Sequence, residues 1–171
     1  MTSQKRYIIN NIAELIRNKI NLSTPVDMEV VVKELNGKVE EMEFENPTIS
    51  GLIKKTGDSF VIYVNPNDIP ERRTFTIAHE IGHLFLHMGY LVNMNKWNSI
   101  NEYTDSPMFR QGYSEEEYEA NEFAAAFLMP SSEFKSYREQ NLSLEDIAKK
   151  FHVSKEAALT RGRWLGMYGW N

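Results

Sequence analysis

Hydrophobic and polar positions alternate along the chain in two rhythms, and the change between them sets out the elements. Residues 3–20 carry Ile8, Ile9, Ile12, Leu15, Ile16 and Ile20 at helical spacing, which predicts an amphipathic helix. Pro25 suits the first turn of a second helix that Asn36-Gly37 would stop. Between Lys38 and Asn65 the period shortens: VEEMEF alternates, TISGLIKK follows a proline, and SFVIYVN comes after a Thr56-Gly57-Asp58 turn. Three short strands in a small, mostly antiparallel sheet are expected there.

Helical spacing returns at Pro70 and continues to His87, with Gly89 as the stop. Residues 90–113 lack periodicity and predict a loop with at most a short helical turn. Ser114-Glu-Glu-Glu fits a capping box that opens a further helix, which ends before Pro130. Residues 131–140 suit a short helix, and the tail reads as two helices separated by His152-Val153. The expected fold is therefore α+β: helices around a small sheet, closed by a C-terminal helical pair. No repeat or linker divides the chain. A single domain over 1–171 is expected, with a core in 1–130 and a helix-turn-helix-like segment in 131–171.

Composition narrows the chemistry. The 171 residues include 42% hydrophobic and 25% charged side chains, the balance of a chain with a core of its own. The absence of cysteine excludes a disulfide scaffold, zinc ribbons and thiol catalysis. A net charge of −5 argues against a nucleic-acid binder as a whole. The longest apolar run, Phe123 to Pro130, is far short of the roughly 20 residues a membrane span needs. With no recognisable targeting segment at the N-terminus, a cytoplasmic protein without membrane attachment is the expectation.

Histidine is the informative residue: of four, His79, His83 and His87 fall within nine positions. His79-Glu80-Ile81-Gly82-His83 is an H-E-x-x-H sequence within a predicted helix. Residues four apart share a face one turn apart, so both imidazoles can reach one zinc ion, and Glu80 stands where it can act as general base on water. Ile77, Ile81, Leu84, Phe85 and Met88 form the opposite, core-facing stripe of this zincin-like helix.

Catalytic zinc usually takes a third protein ligand. His87 continues the row but lies about 12 Å from His79 along a straight helix, too far for both to bind one ion. The acidic helix that follows offers Glu116 and Glu119 beside its apolar stripe of Ala120, Phe123, Ala124, Phe127 and Leu128. Helical angle does not choose between them. Glu115, Glu116 and Glu117 are explained by the cap and the helix dipole, whereas Glu119 lies past the first turn and has no such explanation.

RRTFTIAHEIGHLFLH (Arg72 to His87) followed by EANEFAAAFLMP (Glu119 to Pro130) resembles the ImmA/IrrE family of metallopeptidases. The likeness extends to Ser50-Gly51-Leu52-Ile53, to Val64-Asn65 and to the segment with Val153-Ser154, Arg161 and Leu165-Gly166. It implies zinc bound by His79, His83 and Glu119, with Glu80 as general base. It also implies one protein substrate cut at few sites, such as a helix-turn-helix repressor of a mobile element or stress response. Tyr103 and Tyr113 are candidate donors to the oxyanion of such a reaction.

The competing expectation is a non-catalytic regulator, or a DNA- or repressor-binding module built on the C-terminal helical pair. A small excess of basic residues after Leu142 gives that reading thin support. The blander view of the pair, with Trp164 and Leu165 packed inward as a cover for the core, is favoured. The glutamates at 40, 41, 43 and 45 read as the solvated face of an edge strand. Trp97 and Trp170 lie in polar settings suited to a partner.

Overall fold

The computed structural model describes residues 1–46, 49–100 and 114–170. Helix α1 (Ser3–Lys19) starts at Thr2, whose hydroxyl accepts from the Lys5 amide. Its buried side is narrower than the sequence pattern suggests: Ile9 and Ala13 are buried and Ile12, Ile16 and Ile20 half-buried, but Ile8 and Leu15 face solvent. Helix α2 (Met28–Glu34) begins three residues after Pro25, because Asp27 accepts from the amides of Glu29 and Val30 and fixes the start.

Strands β1 (Gly37–Glu41), β2 (Gly51–Thr56) and β3 (Ser59–Val64) form one sheet in the order β1-β3-β2. β2 and β3 are an antiparallel hairpin closed at Gly57, which has φ of 60°. β1 instead runs parallel to β3, with Val39 opposite Ile62. The sheet is thus mixed rather than mostly antiparallel. β1 ends at Glu41 and β2 begins at Gly51, a separation long enough that the two need not be neighbours. β3 buries Phe60, Val61, Ile62 and Val64 and takes the middle place that a near-continuous apolar run suits. β1 stays at the edge with Glu40 and Glu41 exposed, and Glu41 pairs with Arg73 at 2.7 Å.

Helix α3 (Pro70–Leu86) lies against β2 and β3 on one side and crosses α5 (Glu115–Leu128) on the other. Ile77, Ile81, Leu84, Phe85 and Met88 are buried, as their spacing predicts. The helical turn in the irregular stretch is α4 (Met94–Ser99). It is anchored by Trp97, which is fully buried instead of offered to a partner. Lys55 donates to the carbonyls of Trp97 and Ile100 at 2.8 and 2.6 Å and lies over the indole ring.

The chain closes with α6 (Ser131–Glu139), α7 (Leu144–Phe151) and α8 (Lys155–Trp164). Phe134, Ile147, Phe151, Val153 and Ala158 join the same apolar cluster as α3 and α5. Leu165 packs against it, but Trp164 does not turn inward: it is 45% exposed, stacked under Arg6 and edge-on to Trp170. No helix among the described residues is long and apolar enough to cross a membrane.

Candidate metal centre

The site is built where α3 and α5 cross. Proline at the first position opens α3 without a side-chain cap, and the uninterrupted helix puts His79 and His83 on one face. Both are buried, and Glu80 between them is fully so. Gly82 permits the close crossing: a β-carbon there would lie 3.0 Å from the Ala120 Cα and 3.1 Å from its carbonyl oxygen. On the β2 side, Gly51 leaves the room occupied by the Thr76 methyl and by the Glu80 carboxylate.

Across this crossing α5 presents a carboxylate that the sequence pattern assigns to the cap. Ser114 does cap α5, accepting from the Glu117 amide at 3.2 Å. The Glu117 side chain, however, does not complete a capping box. It reaches His83 Nε2 at 3.1 Å and His79 Nε2 at 3.4 Å, and the two Nε2 atoms are 3.0 Å apart. Among the described residues, His79, His83 and Glu117 are the one group of three such side chains whose ligand atoms lie close enough to share an ion.

The donor set fits a zinc-type ion. Three ligands at about 2.0–2.1 Å in a tetrahedron are roughly 3.3–3.4 Å from one another, close to the separations here. The chemistry agrees. Asn121 Oδ1 lies 3.0 Å from His79 Nδ1 and accepts its proton, so Nε2 of that ring carries a lone pair directed at the carboxylate and at the other imidazole. Lone pairs and a carboxylate converging in a buried place are reconciled by a cation between them.

Glu119 is held elsewhere. It accepts from His87 Nε2 at 3.2 Å and from Lys5 of α1 in a short contact. His87 in turn lies with its Nδ1 2.9 Å from His83 Nδ1. Glu116, the other carboxylate considered, is exposed. The structure therefore brings together His79, Glu80 and His83 with Glu117, while Glu119 sits behind His83 through His87. Tyr103 and Tyr113 lie outside the described residues. Sequence reasoning missed Glu117 and Asn121; their i, i+4 spacing matches that of His79 and His83 and was the available signal.

Electrostatics follow from the burial. Burial works to raise the Glu117 carboxyl, but its close approach to His79 and His83 outweighs it and holds the group well below the carboxylate range. Burial, with the neighbouring His83, lowers His87 from its ordinary value against the pull of Glu119. His79, Glu80 and Glu117 line one cavity of about 890 Å³, whose apolar walls include Phe75, Tyr118 and Trp164.

An H-E-x-x-H helix crossed by an acidic helix, on an α+β frame with a cleft at the crossing, is the arrangement of a metallopeptidase. The chain belongs to the peptidase M78 family, whose IrrE N-terminal-like domain matches residues 32–162. No curated protein matches the chain. Among solved structures, a Mycobacterium tuberculosis transcriptional regulator has a similar fold, with a TM-score of 0.62 and 19% identity. That similarity covers 91% of this chain and 46% of the regulator, so this chain spans less than half of the regulator's length.

Proposed function

We propose that this protein is a zinc-dependent endopeptidase of the cytoplasm that cuts a specific regulatory protein, such as a helix-turn-helix repressor. The observation that carries the reading is the convergence of His79, His83 and Glu117, with His79, Glu80 and Glu117 lining one cavity. His79 and His83 hold the ion, and Glu117 takes the place of third ligand that the sequence motif suggests for Glu119. When bound, zinc supplies a Lewis acid that polarises the scissile carbonyl and acidifies water. Glu80 would accept the proton of the attacking water as the C–O bond forms, then pass it to the amine nitrogen as the C–N bond breaks. Asn121 holds His79 in the tautomer that leaves Nε2 free.

Co-expression with a small helix-turn-helix repressor, followed by fragment mass measurement, tests the substrate class. Discrete fragments with wild type, and intact repressor with Glu80→Gln at unchanged zinc content, are expected. A Glu80→Gln protein as active as wild type would overturn the mechanism.

The alternative, a regulator that binds DNA or a repressor through α7 and α8, draws on the helix-turn-helix-like break at His152, where φ is 56°. The burial of Arg161 and Ala158 in α8 favours a structural use of that pair. Salt-dependent DNA binding by the zinc-free protein would support the alternative.

A further inference from the structure

We propose that Glu119 and His87 are positioning residues for His83: in series, they fix which of its ring nitrogens carries the proton and hold the other towards the metal position. The inference rests on the reading of His79, His83 and Glu117 as metal ligands.

Hydrogen-bond chemistry determines the direction of the chain. A carboxylate only accepts, so the 3.2 Å contact between Glu119 Oε2 and His87 Nε2 places a proton on that nitrogen. A neutral imidazole then has its lone pair at Nδ1. That atom lies 2.9 Å from His83 Nδ1, so His83 donates there. With its proton at Nδ1, His83 presents an unprotonated Nε2, the nitrogen that lies 3.1 Å from Glu117. Reversing either proton would put an N–H of His83 into the place of the ion.

Lys5 completes the series from the other side. Its ammonium contacts Glu119 and also donates to Glu115 at 3.1 Å, so α1 and α5 jointly orient the carboxylate. The two imidazole ligands are thereby supported differently. His79 leans on the neutral amide of Asn121, whereas His83 leans through a second imidazole on a carboxylate. A carboxylate at the end of such a series raises ligand basicity. Lengthening the usual pairing by one imidazole also explains a third histidine in the row that is not itself a ligand.

The test uses the full chain as wild type, Glu119→Ala, Glu119→Gln, His87→Phe and Glu117→Ala, each checked for folding by circular dichroism. Zinc affinity is read by chelator competition, ligand identity by the visible spectrum of the cobalt-loaded protein, and proton positions by nitrogen-15 shifts of the imidazoles. Expected results are a loss of about 10–100-fold in zinc affinity for Glu119→Ala and His87→Phe. The cobalt spectrum should keep its wild-type form in both, and Glu119→Gln, which retains an acceptor, should recover most of the loss. Zinc-loaded wild type should carry the His83 proton at Nδ1 and the His87 proton at Nε2. Affinity within about twofold of wild type in both variants, or a His83 proton at Nε2, overturns the inference. So does a cobalt spectrum altered by Glu119→Ala and not by Glu117→Ala, since Glu119 would then be a direct ligand. Wild type that takes up neither metal defeats the metallopeptidase reading itself, an outcome distinct from all of these.

Discussion

Glu117 and Glu119 are separated by one residue, and a helix turns them to different partners. Glu117 meets the two imidazoles of the H-E-x-x-H pair; Glu119 meets His87 and Lys5. The first-turn position that appeared to account for Glu117 is compatible with a ligand role, because Ser114 caps the helix by itself. His87 permits a prediction at this scale. Its pKa is lowered from 6.5 in the folded protein, chiefly by burial and by His83. The unfolded chain therefore binds more protons below that value. The associated stability is fully present above pH about 6.5 and is lost as pH falls towards the folded pKa. Melting temperatures of chelator-treated protein should fall between pH 7.5 and 5.5, and less steeply for His87→Phe. Equal slopes would remove His87 from this part of the acid response.

Amphipathic spacing gave the existence of the helices, and their contacts decided what they do. The α3–α5 crossing depends on Gly82 facing the Ala120 backbone, since backbone atoms cannot swing aside as a flexible side chain can. A larger residue there must push α5, and Glu117 with it, away from the imidazoles. Gly82→Val should cost about 1–3 kcal/mol in urea denaturation. It should also weaken zinc binding, although it alters no ligand. A variant that unfolds earlier but binds zinc as tightly as wild type would show that the crossing distance does not set the site. The sheet illustrates a different limit. The apolar run of β3 marks a central strand, but whether β1 runs parallel or antiparallel beside it is decided by the path of the connection, which strand composition does not encode.

Across the whole molecule, two buried arginines bind the end of α5 to distant parts of the chain. Arg17 of α1 donates to the Phe127 carbonyl at 3.1 Å and also reaches Thr24 and Glu133. Arg161 of α8 donates to the Met129 carbonyl at 3.1 Å and to Asn10 at 2.6 Å, beside the buried Glu122 that Arg6 also engages. Helices leave their last carbonyls unsatisfied, and these side chains supply the missing donors. The C-terminal helices are thus fastened to the element that carries Glu117. Arg161→Met should destabilise the protein by about 3 kcal/mol, because it leaves a buried carbonyl and part of a buried carboxylate without a partner. Unchanged stability by urea denaturation would mark residues 131–171 as an appended unit and not part of the core.

The sequence by itself determined the helical periods, the buried stripe of α3, the pairing of His79 with His83 and the adjacent Glu80. All of these follow from spacing within one element, where a fixed rise and turn convert sequence number into position. It also carried two separated motifs whose order marks the family. Tertiary structure alone decided the matters that depend on how elements meet. Which of Glu117 and Glu119 meets the imidazoles of His79 and His83 turns on the rotation of α5 against α3. Trp97 is buried where Lys55 of another element meets its carbonyl, and Trp164 stays on the surface under Arg6 of α1. The support of His83 by His87 and Glu119 requires both helices at once. Contacts between elements depend on crossing angle and distance, and no single periodicity records either.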